Sequence, residues 1–329
     1  EHREKDLSNR IYYQEMDKCI RCGKCVRTCR ELVGIDALTM AQKGNTAYVV
    51  PKGGSTMADT NCVSCGNCVS VCPVGALMPK SSYDFRQWEV KKVRTTCAYC
   101  GVGCQIDFSV KDGRIVDAAP AYGPSNQGLL CVKGKFAYGF INHQDRLTYP
   151  LIRKNGKLER ASWEEALDLV AHKIKEVKET YGPDAVAGFS SARTVNEDNY
   201  LFQKFIRAAV GTNNVDHCAR LCHSSTVAGL AATLGSGAMT NCIAEVKEAD
   251  VIFITGSNTT ETHPVMGMYV RQAHRMGKKI IVADPVRIPL ADLADIYLQI
   301  NPGSSVALSN GMLHVIFEEG LEDKEYIEK

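Results

Sequence analysis

Two short runs, "CIRCGKCVRTC" and "CVSCGNCVSVCP", limit what this chain can fold into more than anything else in it. Both follow C-x2-C-x2-C-x3-C, begin 43 residues apart at Cys19 and Cys62, and read as an internal repeat. Three closely spaced thiolates on one tight loop can hold three corners of a cubane iron–sulfur cluster, and the fourth ligand comes from elsewhere. In two-cluster proteins the last cysteine of each run ligates the other cluster. The spacing therefore assigns Cys19, Cys22, Cys25 and Cys72 to one [4Fe-4S] cluster, and Cys62, Cys65, Cys68 and Cys29 to a second. Gly23 and Gly66 let the backbone turn close to the inorganic core. Zinc would use two separated C-x2-C knuckles and leave the third in-line cysteine of each run idle.

A third set, Cys97, Cys100, Cys104 and Cys131, has the spacing C-x2-C-x3-C-x26-C. Counting ligands leaves zinc and a cluster both open here, since either would use all four. Position favours a third [4Fe-4S] cluster, because the set follows two others and precedes an α/β region. Fifteen cysteines in 329 residues is a high count, and tight C-x2-C runs are metal frameworks more than disulfide frameworks. That points to a reducing compartment. The net charge of +2 gives no field suited to nucleic acid or anionic lipid. No apolar run approaches the ~18 residues of a membrane-spanning helix. The first residue is Glu1, with no Met or apolar leader before it, so the chain reads as a trimmed product.

The chain reads as four segments. Residues 1–80 hold the cysteine repeat, a ferredoxin-like two-cluster domain of α+β type. Residues 81–91 lie in a polar linker, within "MPKSSYDFRQWEVKKV". Residues 92–150 form a small β-rich domain with the third cysteine set, and Asp112-Gly113 between alternating runs predicts a hairpin. Residues 151–329 alternate short apolar strands with helices, the pattern of a parallel, doubly wound α/β sheet. Trp163, Leu167, Val170, Ile174 and Val177 share a helical face, with Ser162 and Glu165 as a capping box and Gly182-Pro183 as the stop. Ligands of such sheets sit beyond the carboxyl ends of the strands. Gly256, Ser257, Asn258, Asp284 and Arg287 fall there, where a nucleotide-like ligand would bind, unless they are ordinary loop residues.

"VDHCARLCHSSTVAG" fits none of these frameworks, since Cys218 and Cys222 are four apart with His217 and His223 beside them. Its meaning comes from a resemblance. "CAYCGVGC", "NQGLLCVKGKFAYGFI", "SSARTVNEDNYLFQKF", "GTNNVDHCARLCHSSTVAGL", "GSGAMTN" and "DPVRIPLADLAD" together resemble the catalytic subunit of molybdenum- or tungsten-dependent formate dehydrogenases, within the molybdopterin oxidoreductases. The resemblance covers residues 92–329. Residues 1–80 look like the two-cluster segment fused upstream in cytoplasmic, NAD-linked or electron-bifurcating members, and in hydrogenase and complex I relatives.

The resemblance implies reversible two-electron oxidation of formate to CO2 at a Mo or W centre held by a bis-molybdopterin guanine dinucleotide. Cys222, cysteine or selenocysteine in the family, would ligate the metal, a soft donor for a soft site. His223 would handle the proton. Lys133, otherwise a solvated surface lysine, would lie between the third cluster and the pterin. Arg193, Asn258, Glu261, His263, Asp284, Arg287 and Gly303 fall near positions that hold the dinucleotide in relatives. Asp284 would accept from a guanine or ribose, and an arginine suits a pyrophosphate through its bidentate fork. Cys218 and Cys242 match no role and read as buried small hydrophobes, and His217 as a packing residue.

Electrons would leave through three [4Fe-4S] clusters to an electron-accepting subunit: a flavin/NAD unit, ferredoxin or a hydrogenase module in a hetero-oligomeric complex. Ferredoxin-type clusters sit at low potential, about −400 mV for plant-type examples, which suits a strongly reducing donor such as formate. The family pattern runs on past residue 329, supplying a C-terminal barrel and an active-site arginine that this chain lacks. Two rivals remain: another oxidoreductase of the superfamily, such as a nitrate reductase, and a complex I-like iron–sulfur relay without metal chemistry.

Overall fold

The computed structural model describes residues 4–81 and 85–328. The linker reading over 81–91 falls partly on residues 82–84, outside the described residues. The chain divides into two compact units, residues 1–142 with 241–329, and residues 143–240.

The first unit begins with the cysteine repeat. Each run turns at a glycine in the left-handed region, Gly23 (φ 69°) and Gly66 (φ 74°), which a side chain rarely adopts. Each then starts a one-turn helix, Lys24–Arg27 and Asn67–Ser70. Two antiparallel pairs frame the loops, Tyr12–Gln14 with Leu77–Pro79 and Leu38–Ala41 with Tyr48–Pro51. Tyr12, Leu38, Met57 and Leu77 are fully buried between them, with Cys68 and Val69 in the same core.

A three-stranded antiparallel sheet follows, Lys91–Thr96, Gln105–Lys111 and Arg114–Pro120. The predicted hairpin is present. Asp112 (φ 50°) and Gly113 (φ 73°) both take positive φ, the twist a two-residue turn between strands needs. Cys97 and Cys104 meet at the sheet end, where the Cys97 N–H donates to the Cys104 carbonyl at 2.8 Å. Cys131 precedes the Val132–Phe136 helix.

After residue 241 the unit adds three parallel strands in sequential order, Val251–Thr255, Lys279–Ala283 and Ile296–Leu298. The Pro264–Arg275 helix connects the first two. It buries Val265, Met268, Tyr269, Val270 and Ala273 along one face. Burying each large apolar side chain contributes about 1.5–3 kcal/mol. Val265, Met268 and Tyr269 share one core with Val33 and Cys65 of the repeat and with Val102, Ile106 and Leu130 of the three-stranded domain. Gln272 also donates to the Leu32 carbonyl at 2.6 Å. The ferredoxin-like segment, the third cysteine set and this helix are therefore one packed body.

The second unit holds the Trp163–Tyr181 helix, the Asn196–Lys204 helix, the Ser224–Leu234 helix and a parallel pair, Gly188–Ser190 with Val215–His217. The α/β strands thus form two small parallel sheets, one in each unit. One expectation needs correction. Ser162 caps its helix, its hydroxyl accepting from the Glu165 N–H at 3.1 Å. The reciprocal half of the capping box is missing because the Glu165 carboxylate pairs with Lys154 at 2.7 Å. The apolar face stays open, with Trp163 67% and Leu167 60% exposed. Its period makes one apolar stripe, and the stripe is exposed at these positions.

Candidate functional site

The structure brings each predicted cysteine set together. Cys19, Cys22, Cys25 and Cys72 line one cavity, and Cys29, Cys62, Cys65 and Cys68 line a second. Cys97, Cys100, Cys104 and Cys131 line a third. In the first two, the fourth cysteine comes from the other run, as the crossed assignment expects. Burial pushes the Cys25 thiol up to about 11, and the nearby Cys19, Cys72 and Cys22 add to that. Burial pushes Cys65 and Cys104 up to about 12 and holds Cys68 well above its ordinary value. A buried thiol resists ionisation because its anion loses hydration. A cationic iron core is what such a site needs to hold four thiolates.

Amide and hydroxyl donors already face the sulfurs. The Ala37 N–H donates to Cys29 Sγ at 3.2 Å, and the Arg21 N–H to Cys19 Sγ at 3.3 Å. Tyr12 Oη lies 3.4 Å from Cys62 Sγ. Among the described residues, no three His, Cys, Asp or Glu side chains converge on one point as ligands of a single ion. A cubane does not ask for that, since each thiolate binds its own iron. The donor sets therefore fit [4Fe-4S] clusters.

A larger cavity of about 560 Å³ opens beside the second and third sets, lined by Cys65, Cys131, Lys133, Glu261, Arg271 and Asp292 among others. Lys133 is half-buried here, not a freely solvated lysine, and its Nζ donates to the Glu261 carbonyl at 3.2 Å. Two residues on, Lys135 is buried, donates to the Ala118 carbonyl and lies 3.6 Å from Asp117. Burial lowers its pKa against the pull of that carboxylate.

The remaining predicted contacts of the first unit lie in the loops around its parallel strands. Asn258 follows Gly256, and its Oδ1 is buried without a hydrogen-bond partner. A buried amide oxygen left unpaired costs about 1–3 kcal/mol, so this atom is suited to a ligand donor. Asp284 is buried at the end of its strand. Its carboxylate accepts from the Val286 N–H at 2.8 Å and keeps further lone pairs. Arg287 is exposed, paired with Asp292 at 2.8 Å. His263 contacts the Thr262 hydroxyl, and Gly303 (φ 86°) turns in open space. These residues fit one polar end of a nucleotide-bearing cofactor.

In the second unit, Cys222 ends the Ala219–Cys222 helix and His223 is the bend before the Ser224–Leu234 helix, with both side chains exposed. Arg193 is exposed, with its N–H on the Ser191 hydroxyl at 3.1 Å. Cys218 and Cys242 are exposed, which corrects the reading of both as buried hydrophobes. Each sits at a helix start, where backbone turns outward. Cys218 Sγ accepts from the Ala192 N–H at 3.5 Å, and the Cys242 N–H donates to Glu245 at 3.2 Å. His217 is also exposed, its Nδ1 accepting from the Ala219 N–H at 3.2 Å.

Three family models match the chain along its length. Residues 10–78 match the ferredoxin-like domain of NADH-quinone oxidoreductase subunit 3. Residues 90–143 match the molybdopterin oxidoreductase Fe4S4 domain, and residues 146–327 the molybdopterin oxidoreductase domain itself. The chain belongs to the molybdopterin oxidoreductases. Two relatives illustrate the family. The alpha subunit of F420-dependent formate dehydrogenase 1 from Methanococcus maripaludis is 51% identical over 240 residues, 73% of this chain and 35% of the relative. A probable oxidoreductase of Bacillus subtilis is 35% identical over 98% of this chain and 37% of its own length. The chain thus spans about a third of the length of these relatives. Among solved structures, acetylene hydratase from Pelobacter acetylenicus matches 73% of the chain and 33% of its own, at 28% identity and a TM-score of 0.63. This molybdopterin oxidoreductase has no helix among its described residues long and apolar enough to cross a membrane.

Sequence reasoning missed four participants. Arg271 lines the large cavity, and its side chain lies against Gly34 so closely that a Cβ there would meet it. Tyr12 and Asn9 both reach Cys62. Asn67 sits inside a cysteine run, and its only sequence signal was that the matching position of the first run holds Lys24.

Proposed function

We propose that this chain is the cluster-bearing, cofactor-binding part of a formate dehydrogenase catalytic subunit, which converts formate to CO2, one proton and two electrons. The observation that carries the reading is the "LCHSS" junction, an exposed Cys222 at a helix end followed directly by His223, in a chain about half identical to formate dehydrogenase alpha subunits. The bound molybdopterin guanine dinucleotide with its Mo or W would supply the two-electron acceptor. Cys222 Sγ would be the protein ligand to that metal. The His223 imidazole would take the proton released from formate on a ring nitrogen. Lys133 Nζ, oriented by the Glu261 carbonyl, would place a fixed cation beside the Cys131 loop. Asn258 and Asp284 would accept from the cofactor's nucleotide end, and Arg287 and Arg193 would face its phosphates.

Three [4Fe-4S] clusters would hold the electrons on their way to an accepting subunit, a flavin, ferredoxin or hydrogenase partner, in a cytoplasmic complex. A non-catalytic iron–sulfur electron relay without Mo or W is the second reading. The ferredoxin-like match to NADH-quinone oxidoreductase subunit 3 favours it.

The test is formate-dependent reduction of a viologen dye by the oxygen-free, full-length protein beside its Cys222→Ala variant. Reduction falling at least about 100-fold in the variant, the scale of losing a group made for the transition state, supports the proposal. A protein that holds Mo or W and reduces no dye sinks it. Iron without Mo or W favours the relay.

A further inference from the structure

The second cysteine run is tied to the third cysteine set by one side chain. Asn67 is 3% exposed and stands between Cys65 and Cys68. Its Nδ2 donates to the Leu130 carbonyl at 2.8 Å, and its Oδ1 accepts from the Leu130 N–H at 3.1 Å. Leu130 immediately precedes Cys131. The Asn67 backbone and side-chain amides also favour the Cys65 thiolate, against the burial that pushes this thiol up. An asparagine amide offers two donors and one acceptor oxygen. One donor and the oxygen are engaged on both backbone groups of the residue before one cluster ligand, and the amide stands beside a ligand of another cluster. Cys65 and Cys131 also line the same cavity. At the matching position of the first run, Lys24 is exposed.

We propose that Asn67 is the positioning residue that fixes the second and third clusters relative to one another and holds the potential of the second. This rests on the reading that these cysteines carry clusters. The physical reasons are two. A donor to a cluster sulfur stabilises the more negative, reduced form, so it raises the reduction potential. A paired amide clamp on a peptide unit removes freedom from the segment that carries Cys131, and a buried clamp of this kind is costly to break.

The test uses the full-length holoprotein, with Asn67→Leu, which removes every polar contact, and Asn67→Asp, which keeps an acceptor for the Leu130 N–H but no donor for Cys65. Iron content and a dithionite redox titration followed by electron paramagnetic resonance are read on each. The expected result is a downward shift of one cluster potential, that of the Cys29, Cys62, Cys65 and Cys68 site. It is larger in Asn67→Asp, whose carboxylate adds a negative charge, and absent at the first site. The spin coupling between the second and third clusters should weaken in Asn67→Leu. Unchanged potentials and coupling with full iron content would overturn the proposal. So would equal shifts at all three sites. If Asn67→Leu loses iron, selective loss from the second site supports it, and loss from all three overturns it. Dithionite does not depend on formate chemistry, so a failed formate assay leaves this test standing. A wild-type protein without clusters would instead sink the cofactor reading itself.

Discussion

The two cysteine runs share their spacing, a left-handed glycine and a one-turn helix, and differ in what surrounds them. In the first, Ile20 is 60% exposed, and Arg21, Lys24, Arg27 and Arg30 face solvent around an exposed Cys22. In the second, Cys65, Gly66, Asn67, Cys68 and Val69 are all buried, and no residue between Cys62 and Cys72 is charged. Gly66 lies under the Phe136 ring, while Gly23 faces open space. Ligand spacing determines what a loop can hold. The residues between the ligands determine whether the loop is an outer face or an internal joint.

The sharpest break in the comparison is a single methyl group. Both glycines have positive φ, so Ala at either costs about 1–2 kcal/mol in backbone strain. At Gly66 the added Cβ would also lie 2.6 Å from two Phe136 ring carbons, overpacking worth about 1–3 kcal/mol more. Thermal unfolding of the holoprotein should therefore show Gly66→Ala as the larger loss, with iron lost on heating first in that variant. Equal losses would mean that the second loop is not wedged against the third domain.

A smaller effect concerns pH in iron-free protein. Burial raises the folded-state thiol of Cys65 from 9.0 to about 12, whereas that of Cys25 rises only to about 11. Below pH 9 both states keep the proton and the stabilisation is whole. As pH rises from 9, the unfolded chain releases a proton that the folded chain retains, so stability falls until the folded thiol ionises. Urea unfolding at pH 8 and pH 10 should show a loss that Cys65→Ser and Cys25→Ser each reduce, because both folded thiols keep their proton at pH 10. A loss that neither substitution reduces would contradict the burial of these thiols.

The smallest effect is at the first loop's surface. Arg27→Gln should change unfolding stability by no more than about 0.5 kcal/mol, as exposed substitutions do. A loss above about 1 kcal/mol would show that this loop is packed like the second.

The cysteine sets were legible because cluster ligation imposes spacing on the chain itself. The hairpin at Asp112-Gly113 was legible because two positive φ values demand those residues. The helix from Trp163 was legible by period, but the fate of its apolar face was not, because burial depends on what chain lies opposite. Glu165 illustrates the same limit, since its sequence offset from Ser162 fits a capping box, yet Lys154 takes its carboxylate. Cys218 and Cys242 look like core residues by type, and their exposure depends on where two helices begin.

By itself the sequence determined the cofactor class, through ligand type and spacing, and the order of the domains. Tertiary structure alone decided that the second cysteine run packs into the third domain while the first stays open. Both runs carry the same ligand code, and that difference lies in contacts between residues far apart in the chain. Asn67 and Leu130 are 63 residues apart, and no local pattern specifies their pairing.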